Sequence, residues 1–142
     1  MKYFPRIKKM QTYRIASFFS VCLIASCVLT KGDPNEEVAQ IVNCVSMSGD
    51  QQLCDGILHC NDKLSEPYQN AYNECVKRYL PNGIGRCDEN SELYYSEEKR
   101  KQIYGCIQNK VSNVKLTDEQ EQQMDDFEKC VHDLGKKAGC NS

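Results

Sequence analysis

Ten cysteines in 142 residues are the feature that most limits what this chain can become. That density serves either a disulfide framework or metal clusters, and the compartment decides between them. The N-terminus points to the oxidising side. Lys2, Arg6, Lys8, Lys9 and Arg14 precede a mostly apolar run from Ile15 to Leu29, followed by Lys31, Gly32 and the polar Asp33-Pro34-Asn35-Glu36. A basic start, a short apolar stretch and small residues at the exit predict a secretory signal peptide over residues 1–32, cut after Gly32. The apolar run is shorter than the roughly 20 residues a membrane-spanning helix needs, so no membrane insertion is expected after cleavage. Met10 opens a more typical signal peptide by itself, which leaves the mature protein unchanged.

Cleavage there removes Cys22 and Cys27 and leaves eight cysteines: Cys44, Cys54, Cys60, Cys75, Cys87, Cys106, Cys130 and Cys140. An even count in a secreted chain predicts four disulfides within a single domain over 33–142. Eight cysteines allow on the order of a hundred connectivities, and spacing does not choose among them. Cleavage also removes six basic residues and no acids, leaving 12 Lys/Arg against 20 Asp/Glu, a net charge of −8. So acidic a product lacks the clustered Lys/Arg that nucleic acid or an anionic lipid surface requires.

Five stretches carry helical spacing and none a sustained strand alternation. Val38, Ile41, Val42 and Val45 share a face, with Cys44 beside it. Asp50 can cap a short second helix bearing Leu53, Cys54, Ile57 and Leu58, which Gly56 weakens. Ser65 is a favourable N-cap for a third, with Tyr68, Tyr72, Cys75, Val76 and Tyr79 in one stripe. After a loop from Asn82 to about Glu92, a fourth helix starts at Ser91 or Ser96 and carries Ile103, Cys106, Ile107 and Val111. The fifth opens on the capping box Thr117-Asp118-Glu119-Gln120, presents Met124, Phe127, Val131 and Leu134, and ends on Gly135 as a left-handed cap. The expected fold is all-α: a small disulfide-stapled bundle of four to five short helices.

Little in this chain is suited to catalysis. His59 and His132 are its two histidines, and neither sits near a second imidazole or a Cys-x-x-Cys pair, so no catalytic residue, metal site or cofactor is expected. Cys130-Val131-His132-Asp133 resembles the Cys-x-x-His-Asp helix of secreted phospholipases A2. The glycine-rich loop whose carbonyls would hold calcium is missing, because Cys106 leads into Ile107-Gln108-Asn109-Lys110. His132 then reads as a solvated helix residue. Tyrosine supplies most of the aromatic surface, and Leu93-Tyr94-Tyr95, between a loop and a helix, is the candidate contact surface. The alternative is a carrier pocket for a small hydrophobic ligand, lined by Val38, Ile41, Tyr72, Ile107, Met124 and Phe127. Such a carrier needs roughly 300 Å³ or more, and the scarcity of large aliphatic residues favours a solid core.

The spacing Cys54-x5-Cys60 and Cys130-x9-Cys140 departs from that of insect odorant-binding proteins. The stretch from Cys106 through Leu116-Thr117-x-Glu119-Gln120 to Cys130 resembles the C-terminal half of arachnid microplusin-like proteins. More broadly, a secreted, acidic, eight-cysteine helical chain is similar to the cysteine-rich proteins of arachnid venoms and glands. Together with the lack of catalytic material, this resemblance leads to the expectation of a secreted, extracellular, toxin-like effector that is not an enzyme. It would act as a monomer by binding an extracellular macromolecule, or else carry a small hydrophobic ligand.

Overall fold

The computed structural model describes residues 34–140, so the signal-peptide segment and its cleavage point lie outside the described residues. Five helices follow one another: α1 (Pro34–Ser46), α2 (Gln51–Asn61), α3 (Glu66–Tyr79), α4 (Glu97–Val111) and α5 (Asp118–Ala138). Among the described residues β-structure is limited to one isolated bridge, Asp88 with Ser91. The fold is a small all-α bundle stabilised by four disulfides.

Local chemistry sets most of the helix ends. The Asp50 carboxylate accepts from the N–H groups of Gln52 at 2.8 Å and Leu53 at 3.3 Å, which starts α2. Ser96 rather than Ser91 starts α4, its hydroxyl accepting from Lys99 N–H at 3.2 Å. The capping box of α5 is complete: Gln120 N–H donates to the Thr117 hydroxyl and Thr117 N–H to the Gln120 side chain. Ser65 precedes α3 in extended conformation, but its hydroxyl caps nothing and is buried without a hydrogen-bond partner. The far end of α5 also differs from expectation. Gly135 lies inside the helix, and the left-handed cap is Gly139, at φ 70°.

Gly135 has a packing role instead: a Cβ there would stand 2.8 Å from Ile41 Cγ2, so the missing side chain lets α1 lie close against α5. Gly56 does the same for α2, where a Cβ would meet Leu134 Cδ1 at 2.8 Å. These contacts join α1, α2 and α5 into one group, while α3 packs most extensively on α4. The core contains Val45, Ile57, Leu93 and Val131, all essentially inaccessible, with Cys54, Cys60, Cys75 and Cys87 among them.

The disulfides follow the same grouping. Cys44–Cys140 ties α1 to the end of α5, Cys60–Cys130 ties α2 to α5, and Cys75–Cys106 ties α3 to α4. The fourth, Cys54–Cys87, pins the loop between α3 and α4 onto α2. That loop is held further by Cys87 N–H donating to Gln51 Oε1 at 3.0 Å and Leu93 N–H to Ser46 O at 3.2 Å. No disulfide crosses directly from α3 or α4 to α1 or α5, and a cleft lies along that seam.

Candidate functional site

The cleft has a volume of about 450 Å³ and is partly open to solvent. Helix α1 brings Val38, Ala39 and Val42, α3 brings Tyr68 and Tyr72, α4 brings Ile103, Tyr104 and Ile107, and α5 brings Met124 and Phe127. On each helix these residues fall three or four positions apart, with Val38/Ala39 and Ile103/Tyr104 as side-by-side members, so one stripe per helix faces the seam. Two other depressions of similar volume lie over the Cys75–Cys106 and Cys60–Cys130 bridges, but they are more open and bordered mainly by polar and charged side chains. The cleft along the seam is the apolar one, and its volume falls within the range of small-molecule sites.

Charged and amide side chains border the cleft, and three of its polar residues, Asn61, Tyr72 and Tyr94, are linked by hydrogen bonds. Asn61 Nδ2 donates to the Tyr94 hydroxyl at 3.2 Å, and the Tyr94 and Tyr72 hydroxyls share a bond of 2.9 Å. Their rings meet edge to face, 6.5 Å between centroids and 81° between planes. Two hydroxyls carry two protons and only one lies between them, so the other has no partner among the described residues. Burial pushes the Tyr72 phenol up and the Tyr94 phenol well up from the ordinary value of 10.0, and both stay neutral.

Tyr94 reaches the cleft at a backbone cost. Tyr94 and Tyr95 are consecutive non-glycine residues with positive φ, 60° and 68°. A bulky residue in that region is strained by about 1–2 kcal/mol. Tyr94 N–H donating to Ile84 O at 2.7 Å, and Ser96 N–H to Tyr94 O at 2.9 Å, hold the turn. Beside it stands Arg100, only 7% exposed. Its guanidinium donates to Asn43 Oδ1 at 2.8 Å, Leu93 O at 2.9 Å and Glu92 Oε2 at 2.9 Å, so α4 is clipped to α1 across one end of the cleft.

The structure separates the residues singled out from sequence. Val38, Tyr72, Ile107, Met124 and Phe127 line the cleft together. Ile41 does not; one helical position away from that stripe, it is buried against Gly135. The proposed contact surface does not survive as a unit: Leu93 is fully buried and Tyr94 is 4% exposed, leaving Tyr95, at 50%, as its exposed member. The reason is the positive-φ turn, which drives Tyr94 inward and Tyr95 outward. The solid core expected from the few large aliphatic residues is interrupted by the cleft. His132 is half-buried and its Nδ1 lies 3.5 Å from Glu37 Oε1, pairing α5 with α1 rather than standing in solvent.

Asn61, Tyr94 and Arg100 as cleft residues escaped the sequence reading. Arg100 and Asn61 did leave a signal. Arg100 precedes Ile103, Tyr104 and Ile107 by three, four and seven residues, and Asn61 follows Ile57 by four, so each polar group occupies a stripe position. A polar side chain on an apolar stripe is buried with partners or serves a site.

The family model described as Hi1a-like, U10-hexatoxin-Hi1a, matches residues 32–141. The chain belongs to that family. This Hi1a-like chain is a cysteine-rich, toxin-like venom protein. No curated protein and no solved structure matches it. Among the described residues no helix is long and apolar enough to cross a membrane, and no three His, Cys, Asp or Glu side chains are grouped to hold a metal ion.

Proposed function

We propose that this toxin-like protein is secreted and acts without catalysis, by holding a small, largely apolar ligand in the cleft along the α1/α5–α3/α4 seam. The observation that carries the reading is the cleft itself: about 450 Å³, walled by aliphatic and aromatic side chains, with a short chain of fixed polar groups. That combination is what a small-molecule site requires, with apolar walls for affinity and a few placed polar groups for orientation. Membership of the Hi1a-like family supports the toxin-like part, and four disulfides with a signal-peptide-like N-terminus support secretion.

The strained Tyr94 supports the same reading. Strain persists where the surrounding structure over-determines it, and such positions gather at ligand sites. An effector working through an exposed Leu93-Tyr94-Tyr95 patch has less in its favour, since two of those three side chains are core. The test is uptake of the apolar fluorophore N-phenyl-1-naphthylamine by the disulfide-intact protein. Saturable binding of one equivalent is expected. Ala39→Trp, which fills the cleft from α1, should weaken it by about tenfold while leaving the circular dichroism unchanged. Absence of saturable uptake, or uptake indifferent to the substitution, would refute the cleft as the binding site.

A further inference from the structure

The walls of the cleft are apolar, but its border is charged, and the charges do not balance. Five ionised side chains border it: Glu36, Glu97 and Glu128 against Arg100 and Lys101. Lys101 is taken by Glu97, its neighbour one turn back on α4. Arg100 is taken by Glu92. Glu36 and Glu128 are left, and among the described residues neither has a cation within ion-pair distance. Glu36 stands exposed on α1 and Glu128 half-buried on α5, one carboxylate on each of two neighbouring helices at the border of the cleft.

The aromatic lining points the same way. Tyr68, Tyr72, Tyr94, Tyr104 and Phe127 all border the cleft. Ring faces carry partial negative charge and attract organic cations most strongly where water is displaced. The shared hydroxyls of Tyr72 and Tyr94 are neutral and retain oxygen lone pairs that accept from an N–H donor. Beyond the cleft, the net charge of −8 over 33–142 draws cations toward the molecule and repels anions. A carboxylate or phosphate ligand would meet two unpaired carboxylates and an arginine already engaged at three positions.

We infer that the cleft takes a small organic ammonium, an apolar body bearing one positively charged amine, with Glu36 and Glu128 answering the charge and the tyrosine and phenylalanine rings receiving the body. This deepens the proposed function and rests on the cleft being a small-molecule site.

Three probes sharing one eight-carbon body separate the charge from the apolar contact: octylammonium, octanoate and 1-octanol. The chain contains no tryptophan, so its intrinsic emission is that of tyrosine, and four of those tyrosines border the cleft. Titration of the disulfide-intact protein by tyrosine emission, repeated by calorimetry, reads the affinities directly. Octylammonium is expected to bind about tenfold more tightly than 1-octanol and octanoate more weakly than both, a preference that shrinks as salt screens the carboxylates. The double substitution Glu36→Gln, Glu128→Gln should bring octylammonium down to the affinity of 1-octanol and leave 1-octanol itself unchanged. Equal binding of all three probes, tighter binding of octanoate, or indifference to the double substitution overturns the ammonium assignment while the cleft remains a binding site. Failure of all three to bind overturns both and turns the search to a macromolecular occupant.

Discussion

At Tyr94 a strained backbone, an inward ring and a shared hydroxyl meet in one side chain. Removing only its hydroxyl isolates the last of these. Tyr94→Phe leaves Asn61 Nδ2 without the partner it has at 3.2 Å, and the expected loss of stability is about 1–2 kcal/mol, measured by urea unfolding. The same phenols give the protein an alkaline limit. Burial raises Tyr72 and Tyr94 above 10.0, so the unfolded chain releases these protons at a pH where the folded chain keeps them. Their contribution is fully present below pH 10 and is lost as the pH rises through the folded values. Urea midpoints followed from about pH 8 to 11 should therefore fall, and the double variant Tyr72→Phe, Tyr94→Phe should fall less steeply. Sequence reading could not see this pair, because no spacing rule connects a loop tyrosine to a helix stripe 22 residues away. Arg100 was more accessible: it stood on the α4 stripe but was masked by the run Glu97-Glu98-Lys99-Arg100-Lys101, which reads as a solvated face.

The elements themselves were largely legible. Asp50 and the Thr117–Gln120 box act locally, through backbone N–H groups two or three residues away, and local rules found them. Gly135 is the complementary case, a residue inside α5 whose constraint is not local. Followed by Lys136 and Lys137, it has the local appearance of a helix stop, whereas its actual constraint is Ile41 on another helix. Two glycine substitutions test that distinction. Gly105, inside α4, has open space where a Cβ would go, so Gly105→Ala should stabilise the protein by about 1 kcal/mol through helix propensity and a less flexible unfolded chain. Gly135→Ala makes the same propensity gain but must displace Ile41, and overpacking of about 1–3 kcal/mol should outweigh it. Thermal unfolding of the two variants should shift in opposite directions.

For the whole molecule, four disulfides were countable and their pairing was not, since pairing is a property of how the helices stack. The loops they close differ threefold in length: 96 residues for Cys44–Cys140 against 31 for Cys75–Cys106. In the chain-entropy model the longer closure is worth about 1 kcal/mol more. Replacing Cys44 and Cys140 with Ala should therefore cost more in urea unfolding than replacing Cys75 and Cys106, by roughly that margin. The arrangement also explains why the cleft persists: the bridges consolidate α1, α2 and α5 on one side and α3 with α4 on the other, and the seam between them is clipped at Arg100. Helical phase alone brought Val38, Tyr72, Ile107, Met124 and Phe127 to that seam. It could not say that the seam would stay open, because a stripe facing a neighbouring helix and a stripe facing a cavity have the same period.

The central claim, a disulfide-closed bundle that carries a small apolar ligand, meets its most direct test in native mass spectrometry of the protein purified from its own secretion, with the denatured mass recorded on the same sample. The predicted result is a monomer lighter than the reduced mature chain by eight hydrogen atoms, with a small apolar mass adduct that leaves on denaturation. A bare monomer that also refuses to load with apolar amines or alcohols would contradict the account.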